Sequence, residues 1–345
     1  MKMNNLRLPA EWEPCSAVLL AWPHADTDWA YMLDRAESCY DQLVSAISRF
    51  AMAVVIAPDA GYVSRRLEAL GLAAETYTVV ECPTNDTWTR DYGPITTTAV
   101  TDEGHRVNIL NDYRFNGWGL KFAANHDNLV TRRLVMGTSL TGRYRNCQDF
   151  VLEGGSVESD GNGIILTTRR CLLSPNRNEW MSRRQIEQRL KADFGAHKIL
   201  MLDNGGLDGD DTDGHIDTLA RLAPDNTIIY VGCQDPADPQ YDDLSVMRND
   251  IRSLRTLTGE PFNLYELPMP AAVYDADGQR LPATYANYLV VNGGVLVPVY
   301  GQPKTDRLAC QILASVFHDR QVVPVDCSAL IEQHGSLHCS TMQLL

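Results

Sequence analysis

The sequence predicts an α/β fold, a five-bladed pseudo-symmetric propeller of ββαβ units. First, the order strand, strand, helix, strand recurs along the 345 residues. Second, Asp91, Glu153, His215 and Cys339 are separated by 62, 62 and 124 residues, so four chemically capable side chains share one phase of a 62-residue period. Third, no Ser/Gly-rich linker divides the chain. We therefore expect one domain over residues 1–345, with a central site built from distant residues.

Apolar runs of strand length, turn residues and 3.6-residue helical spacing define the elements of each unit. The first and least regular unit has predicted strands at 16–22, 52–57 and 77–80 and helices at 31–50 and 62–70. The four later units have predicted strand, strand, helix and strand at 93–100, 106–111, 128–136 and 143–151; 156–159, 163–168, 179–194 and 198–202; 215–222, 227–231, 242–257 and 263–267; and 286–291, 294–299, 306–317 and 321–326.

The composition narrows the class of protein. The chain has 30 Lys+Arg and 44 Asp+Glu, so its formal net charge is 30 − 44 = −14. Because a nucleic-acid binder needs a basic face, we expect no nucleic-acid partner. The apolar runs are too short for a membrane span and the first 13 residues lack a signal-peptide pattern, so we expect a soluble protein without a membrane partner. Nine cysteines without a C-x-x-C pair favour a cytoplasmic environment. A homo-oligomer is compatible with the sequence, which leaves the oligomeric state open.

Cys339 and His215 are the candidates for nucleophile and acid–base chemistry. Cys339 lies in GSLHCST, after a Gly-Ser turn and among polar neighbours that are unusual around a packing cysteine. A nucleophilic thiol needs partial access and a nearby positive charge or histidine. Strand alternation predicts that His215, Asp217 and Leu219 share one face of the strand at 215–222. The simpler interpretations are a buried structural cysteine and an exposed acidic turn.

Two further carboxylates precede glycine-containing turns. Asp91 lies three residues after Trp88 and just before Gly-Pro, and Glu153 precedes a Gly-Gly pair. An aromatic side chain beside a carboxylate suits a cationic ligand. A turn-forming Asp and a solvated loop Glu are the simpler interpretations.

The aspartate-rich segment 208–217 invites two metal-binding hypotheses. A calcium loop fails, because aligning its glycine leaves Gly209 and Ala220 at ligand positions. A hydrolytic metal site of Asp210, Asp213 and His215 stays as a weaker alternative.

The combination of residues is more informative than any one of them. One thiol, one histidine and several carboxylates in an acidic chain favour attack on a positively charged carbon. A guanidinium group is planar, and its N–H groups match carboxylates bidentately. We therefore expect a small cationic guanidinium substrate.

Eight motifs extend this interpretation over nearly the whole chain. They are WTRDYGP (88–94), FNGWG (115–119), LEGGS (152–156), CLLSPNRN (171–178), DGHID (213–217), YANY (285–288), NGGV (292–295) and LHC (337–339). In this order they resemble the agmatine deiminase and bacterial-type peptidylarginine deiminase family of the guanidine-modifying enzymes. The resemblance implies the pentein fold, a five-bladed α/β propeller, and a hydrolase that acts on C–N bonds of linear amidines.

The resemblance also implies a role for seven positions of this chain. Catalytic positions come first and substrate-binding positions follow: Cys339 as nucleophile, His215 as general acid/base, Asp91 and Asp217 as guanidinium clamp, Glu153 as a further carboxylate, Trp88 in the pocket wall and Asn287 as a substrate contact. The implied chemistry is thiolate attack on the guanidinium carbon, loss of ammonia, a covalent S-alkylthiouronium and its hydrolysis. No metal and no organic cofactor is required.

Departures from the family pattern bear on the substrate. The segment 121–128 lacks the Gly-Leu-Tyr…Pro-Trp stretch of many plant-type agmatine deiminases, and the tail after Cys339 lacks their Gln-Gln pair. Agmatine, converted to N-carbamoylputrescine in putrescine biosynthesis, is the leading substrate, with peptidylarginine or free arginine as alternatives. The contacts at the far end of the pocket stay open among Asp210, Asp211, Arg90 and Arg145. A non-catalytic propeller that binds a partner is the alternative from another class.

Overall fold

The computed structural model describes residues 3–137 and 139–345. The strands are β1 Met3–Arg7, β2 Ala17–Ala21, β3 Met52–Ala57, β4 Tyr77–Glu81, β5 Ile95–Thr101, β6 Arg106–Arg114, β7 Arg143–Val151, β8 Val157–Ser159, β9 Ile164–Thr168, β10 Lys198–Leu202, β11 Ala220–Ala223, β12 Thr227–Val231, β13 Asn263–Leu267, β14 Val273–Tyr274, β15 Arg280–Leu281, β16 Leu289–Val291, β17 Gly294–Val299, β18 Gln321–Asp326 and β19 Met342–Leu344. The helices are α1 Leu33–Ile47, α2 Ala60–Ala69, α3 Thr89–Tyr92, the one-turn α4 Gly117–Leu120, α5 Val130–Met136, α6 Arg169–Leu172, α7 Arg183–Phe194, α8 Tyr241–Ser253 and α9 Pro303–Val316.

Five sheets of the described residues share one strand order. They are β1-β5-β6-β7, β8-β9-β10, β11-β12-β13, β16-β17-β18 and β19-β2-β3-β4. In each, an antiparallel pair is followed by a parallel partner. A parallel pair needs a crossover connection, and α5, α7, α8, α9 and α1 lie in these crossovers. The chain is an α/β protein whose later units have the predicted strand–strand–helix–strand order.

The two ends of the chain meet in one sheet. β19 pairs antiparallel with β2, with Leu344 opposite Ala17. The Ser16 backbone N–H donates to the Leu344 carbonyl at 2.7 Å. The sheet of the first predicted unit therefore receives its outer strand from the last residues of the chain, which also explains why that unit fits the repeat less regularly.

Local capping sets helix ends that hydrophobic spacing alone misplaces. The helix predicted at 179–194 begins at Arg183, because Ser182 accepts from the Gln185 backbone N–H in a capping box. It ends before Gly195, whose φ of 63° is left-handed. The helix predicted at 306–317 begins earlier, at Pro303, since proline suits the first helical position.

The strand predicted at 215–222 is wrong in its first half. Residues Ile216–Thr218 form a 3-10 turn, and β11 begins only at Ala220. Asp210 accepts from the backbone N–H of Thr212 and Gly214, and Gly214 has a φ of 85°. These turn contacts override the alternating pattern. Similarly, the strand predicted at 286–291 begins at Leu289.

Apolar side chains fill the space between sheets and helices. One large cluster spans most of the chain and a second packs β9–β12 against α8. Within the described ranges, every helix is too short or too polar to cross a lipid bilayer.

Candidate active site

The WTRDYGP motif and the C-terminal turn are held together by hydrogen bonds. Thr89 on α3 donates its hydroxyl to the carbonyl oxygens of Leu19 and Ser340, both at 3.0 Å. The Arg90 backbone N–H donates to the Cys339 carbonyl at 3.1 Å. The short helix that carries Asp91 is therefore fixed directly beside the candidate nucleophile, although 248 residues separate the two along the sequence.

Three predicted site residues converge around Gly155. Its backbone N–H donates to Asp91 Oδ1 at 3.1 Å. A Cβ at this position would lie 2.6 Å from His215 Nδ1, 2.8 Å from Asp91 Oδ1 and 3.1 Å from Asp217 Oδ2. Only glycine leaves room for this convergence. The Gly-Gly pair after Glu153 thus serves the site by its small size.

Cys339 lies against Asn287 and Asp217. Its Sγ is 3.2 Å from Asn287 Nδ2 and 3.7 Å from Asp217 Oδ2. The backbone N–H groups of His338 and Cys339 donate to Asn287 Oδ1 at 2.9 and 3.2 Å. The side chain of Asn287 therefore fixes the turn that presents the thiol.

Glu153 is fully buried, so the solvated-loop interpretation of this residue is wrong. Its carboxylate accepts from Arg177 Nε at 2.9 and 3.2 Å. Arg177 also donates to Asp213 and to the Thr212 carbonyl. The pair links the LEGGS and CLLSPNRN motifs and anchors the loop before His215.

A cavity of about 140 Å³ opens above Cys339. Its wall combines aromatic, acidic and small residues: Asp28, Asp86, Trp88, Asp91, Trp118, Phe122, Asp211, Thr212, Thr218, Gln333, His334, Gly335 and Cys339. A Cβ at Gly335 would meet the Trp88 ring at 2.2 Å, so this glycine is needed for close packing against the indole. The predicted wall position of Trp88 lies in this lining.

Charges around the thiol give the site its protonation pattern. Burial, followed by the nearby carboxylates of Asp217 and Asp91, raises the pKa of Cys339 well above its usual value. Burial lowers the pKa of His215, but the charge of Asp91, 3.5 Å from Nδ1, leads the opposing effects and raises this pKa to about 10. Burial raises the pKa of Asp91 to about 6. Near neutral pH the site holds a thiol, an imidazolium and carboxylates.

Of the far-end candidates that the sequence left open, only Asp211 lines the cavity. Asp210 binds backbone N–H groups of its own turn. Arg90 donates to Gln343 and the His338 carbonyl, away from the cavity. Arg145 pairs with Asp193 on another part of the molecule.

Several residues of the site were missed by sequence reasoning. Trp118 donates its indole N–H to Asp91 Oδ2 at 3.0 Å. Asp86 accepts from the Trp29 indole at 3.0 Å and from the Thr87 backbone at 2.7 Å. His334 contributes to the cavity wall. Trp118 lies in the FNGWG motif and Asp86 just before the WTRDYGP motif, but no spacing rule distinguishes them from turn residues.

The metal site suggested by Asp210, Asp213 and His215 does not match the observed contacts, because Asp213 pairs with Lys121 and Arg177. Two other groupings of potential ligands occur in residues 3–137 and 139–345: Glu153, Cys171 and His215, and Glu11, Glu158 and His338. In each, a guanidinium group already binds the carboxylates, Arg177 in the first and Arg221 in the second.

The sequence model of the Porphyromonas-type peptidyl-arginine deiminase family matches residues 7–344. The chain belongs to this family. The agmatine deiminase of Pseudomonas aeruginosa strain LESB58 is 32% identical, over 99% of this chain and 96% of the relative. The agmatine deiminase of Medicago truncatula is 30% identical with the same coverage.

Solved structures of the Porphyromonas-type family and its relatives agree with the fold. A Porphyromonas gingivalis protein that carries the provisional name arginine deiminase is 46% identical, covers 98% of both chains and has a TM-score of 0.89. The Campylobacter jejuni agmatine deiminase is 33% identical, covers 98% of this chain and 96% of its own, and has a TM-score of 0.86. These relatives share the α/β architecture along nearly the entire chain.

Proposed function

We propose that this protein hydrolyses agmatine to N-carbamoylputrescine and ammonia, with Cys339 as nucleophile. The charge of the cavity above the thiol carries this proposal. Among the described residues that line it, four are aspartates and none is Lys or Arg. Such a wall favours a ligand that is cationic at both ends, as agmatine is, and disfavours the carboxylate of free arginine.

The inner end of the cavity suits the guanidinium group. Asp91 Oδ1 and Asp217 Oδ2 both lie next to Gly155, and Cys339 Sγ is 3.7 Å from Asp217 Oδ2. Asp217 Oδ1 is buried without a hydrogen-bond partner, so it has acceptor capacity for a substrate N–H. In this role Asp91 and Asp217 hold the guanidinium carbon in reach of the thiol.

The outer end suits an ammonium group. Asp28, Asp86 and Asp211 contribute carboxylates there, and Trp88 and Phe122 contribute aromatic surface. The contacts of Asp86 with Trp29 and Thr87 orient its carboxylate before substrate binds. Because the carboxylate is already oriented, less conformational entropy is lost when the ligand binds.

The first chemical step is formation of a C–S bond. The positive charge of the bound substrate offsets the carboxylates that hold Cys339 protonated, so the thiol releases its proton to solvent water when the substrate is in place. The thiolate adds to the guanidinium carbon and gives a tetrahedral adduct. The imidazolium of His215 then donates a proton to the departing nitrogen, and the C–N bond breaks. Ammonia departs, and an S-alkylthiouronium remains on Cys339.

In the second step, His215 accepts a proton instead of donating one. His215, now neutral, takes a proton from a water molecule that attacks the thiouronium carbon. The C–S bond breaks, and the ureido product and the thiol are released. The buried carboxylate of Asp91 beside His215 stabilises the imidazolium at both ends of this cycle. Glu153 supports the same charge and is itself held by Arg177.

We also propose that the five sheets are blades around one axis, in a single catalytic domain over residues 1–345. Their common strand order and the pairing of β19 with β2 support a closed ring, since closure leaves no unit without a neighbour. The nine free cysteines support a cytoplasmic location.

Ammonia release from agmatine, free arginine and an arginine-containing peptide, each with EDTA, tests the proposed activity. We expect turnover of agmatine that EDTA leaves unchanged and that Cys339→Ala abolishes. The family name and the P. gingivalis relative make arginine and peptidylarginine the alternatives. Faster turnover of either would replace agmatine as substrate, and activity that persists in Cys339→Ala would contradict the covalent mechanism. A folded enzyme inactive on all three would favour the partner-binding alternative.

A further inference from the structure

His338 lies directly beneath the guanidinium end of the site, between two carboxylates. Its Nδ1 is 2.7 Å from Asp217 Oδ2 and its Nε2 is 2.7 Å from Glu11 Oε2. The ring is 1% exposed. Arg221 Nη2 is also 3.0 Å from this Nε2. Because a carboxylate only accepts, Nδ1 carries the proton that it donates to Asp217, while Glu11 and Arg221 hold the other ring nitrogen.

Charged groups from several elements surround His338. Arg221 shares the same Glu11 oxygen and also binds Glu158, both at 2.5 Å. The Arg90 side chain donates to the His338 carbonyl at 3.4 Å. Three carboxylates, Asp217, Glu11 and Glu158, thus face two guanidinium groups around the imidazole.

We propose that His338 is a positioning residue that keeps Asp217 ionised and aimed at the substrate guanidinium. This inference rests on the proposed function. Burial raises the pKa of Asp217, but the hydrogen bond and the charge of His338, then His215 and Arg221, outweigh it, and this pKa lies below the usual range. With Asp217 Oδ2 engaged by His338, the free Oδ1 is the oxygen left for the substrate.

The pair also fixes the geometry of the nucleophile. His338 precedes Cys339 in the turn, and the backbone N–H groups of both donate to Asn287. Glu11 holds the opposite side of the ring and itself accepts from the Val290 backbone at 2.9 Å. The imidazole thus connects the N-terminal segment, the Asp217 turn and the C-terminal turn at one point.

The titration of the Asp217 carboxyl tests this role, because the acid limb of substrate binding follows Asp91, whose pKa is the higher of the two. In a Cys339→Ala background, which removes turnover, carbon NMR of labelled aspartate carboxyls follows Asp217, whose signal is the one lost in Asp217→Asn, and calorimetry at about pH 8 measures agmatine and arginine binding. His338→Leu removes the donor, His338→Gln retains an N–H donor, and Glu11→Gln removes one partner carboxylate. His105→Leu, at a 76% exposed side chain, is the matched control.

We expect His338→Leu to move the titration of Asp217 upward by about one pH unit, which is a tenfold change in its proton affinity. Glu11→Gln should give a smaller shift in the same direction, His338→Gln should show a smaller shift than His338→Leu, and His105→Leu should change nothing. A titration of Asp217 in folded His338→Leu that coincides with the background would overturn the inference. If that variant does not fold, unchanged Asp217 titrations in both His338→Gln and Glu11→Gln overturn it. A background protein that binds neither ligand overturns the proposed function, and the inference with it.

Discussion

Asp91 and His215 titrate on opposite sides of neutral pH, so the profile of kcat, which reports the substrate complex in which Cys339 is already a thiolate, should be bell-shaped. Below about pH 6 the Asp91 carboxyl gains a proton and stops attracting the guanidinium. Above about pH 10 His215 loses the proton that it donates to ammonia. We expect a plateau between these limits, measured as initial rates of ammonia release at constant ionic strength. A profile that rises continuously through pH 11 would contradict the assignment of His215 as general acid.

At the outer end of the cavity, Asp86→Asn should weaken agmatine and spare substrates without an ammonium group. The lost charge interaction amounts to about 1 kcal/mol, so KM for agmatine should rise about fivefold with kcat nearly unchanged. A butylguanidine substrate should be unaffected, because its tail is neutral. Asp319→Asn, at a side chain that is 69% exposed, is the control. An equal loss for both substrates would show that Asp86 acts on the guanidinium end.

Sequence reasoning identified the residues whose side-chain type alone suggests a chemical role. Cys339, His215, Asp91 and Asp217 combine reactive groups with distinctive neighbours. The structure places Cys339 and Asp91 in the cavity wall and buries His215 and Asp217 next to Asp91 at Gly155. Sequence reasoning missed His338, because the role of a buried imidazole depends on the carboxylates opposite both ring nitrogens, and Glu11 lies 327 residues away. Such partners come together only when the sheets assemble.

Among the elements, α4 stores backbone strain beside the site. All four of its residues have positive φ, including Trp118 at 54° and Leu120 at 69°. Asn116 accepts from the Gly119 N–H, and Lys121 donates to Asp213, so both sides of the turn are anchored. A left-handed conformation costs about 1–2 kcal/mol for each non-glycine residue. The turn presents the Trp118 indole to Asp91, and strain at a functional element is common.

Leu120→Gly should therefore raise the free energy of unfolding. Its side chain is 70% exposed, so little packing is lost, and relief of strain exceeds the added entropy of glycine in the unfolded chain by up to about 1 kcal/mol. Chemical denaturation measures the change. Leu70→Gly is the matched control, since Leu70 is also exposed but has a φ of −74°, and it should destabilise the protein. A loss of stability in both variants would show that α4 is not strained.

Elements were predictable where one physical signal dominated. The strands at 143–151, 198–202, 227–231 and 321–326 match the structure because apolar runs bounded by turn residues define both ends. The segment 215–219 was mispredicted because side-chain contacts of Asp210 and a left-handed Gly214 favour a turn. The turn, and not a strand, therefore places His215 and Asp217 beside Asp91 at Gly155.

At the scale of the whole molecule, the 62-residue spacing carried most of the predictive information. It predicted that Asp91, Glu153, His215 and Cys339 occupy equivalent positions, and the structure brings Asp91 and His215 together beside Gly155. The spacing could not reveal that β19 completes the sheet of β2, because pairing between the chain ends is a long-range contact without a local signal. Because Cys339 lies three residues before β19, that pairing also positions the candidate nucleophile.

Leu344→Ala should therefore destabilise the protein as a whole and reduce activity in the same transition. Leu344 is 5% exposed in β19, and truncation of a buried leucine costs about 2–4 kcal/mol. If residues 1–345 form one cooperative domain, calorimetry, far-UV circular dichroism and ammonia release should report a single lowered midpoint. Leu308→Ala, at a 43% exposed position on α9, should change stability by less than about 0.5 kcal/mol. The contrary result is an early transition in which activity is lost while the rest of the structure stays folded. It would mean that β19 unfolds independently and that residues 1–345 are not one cooperative unit.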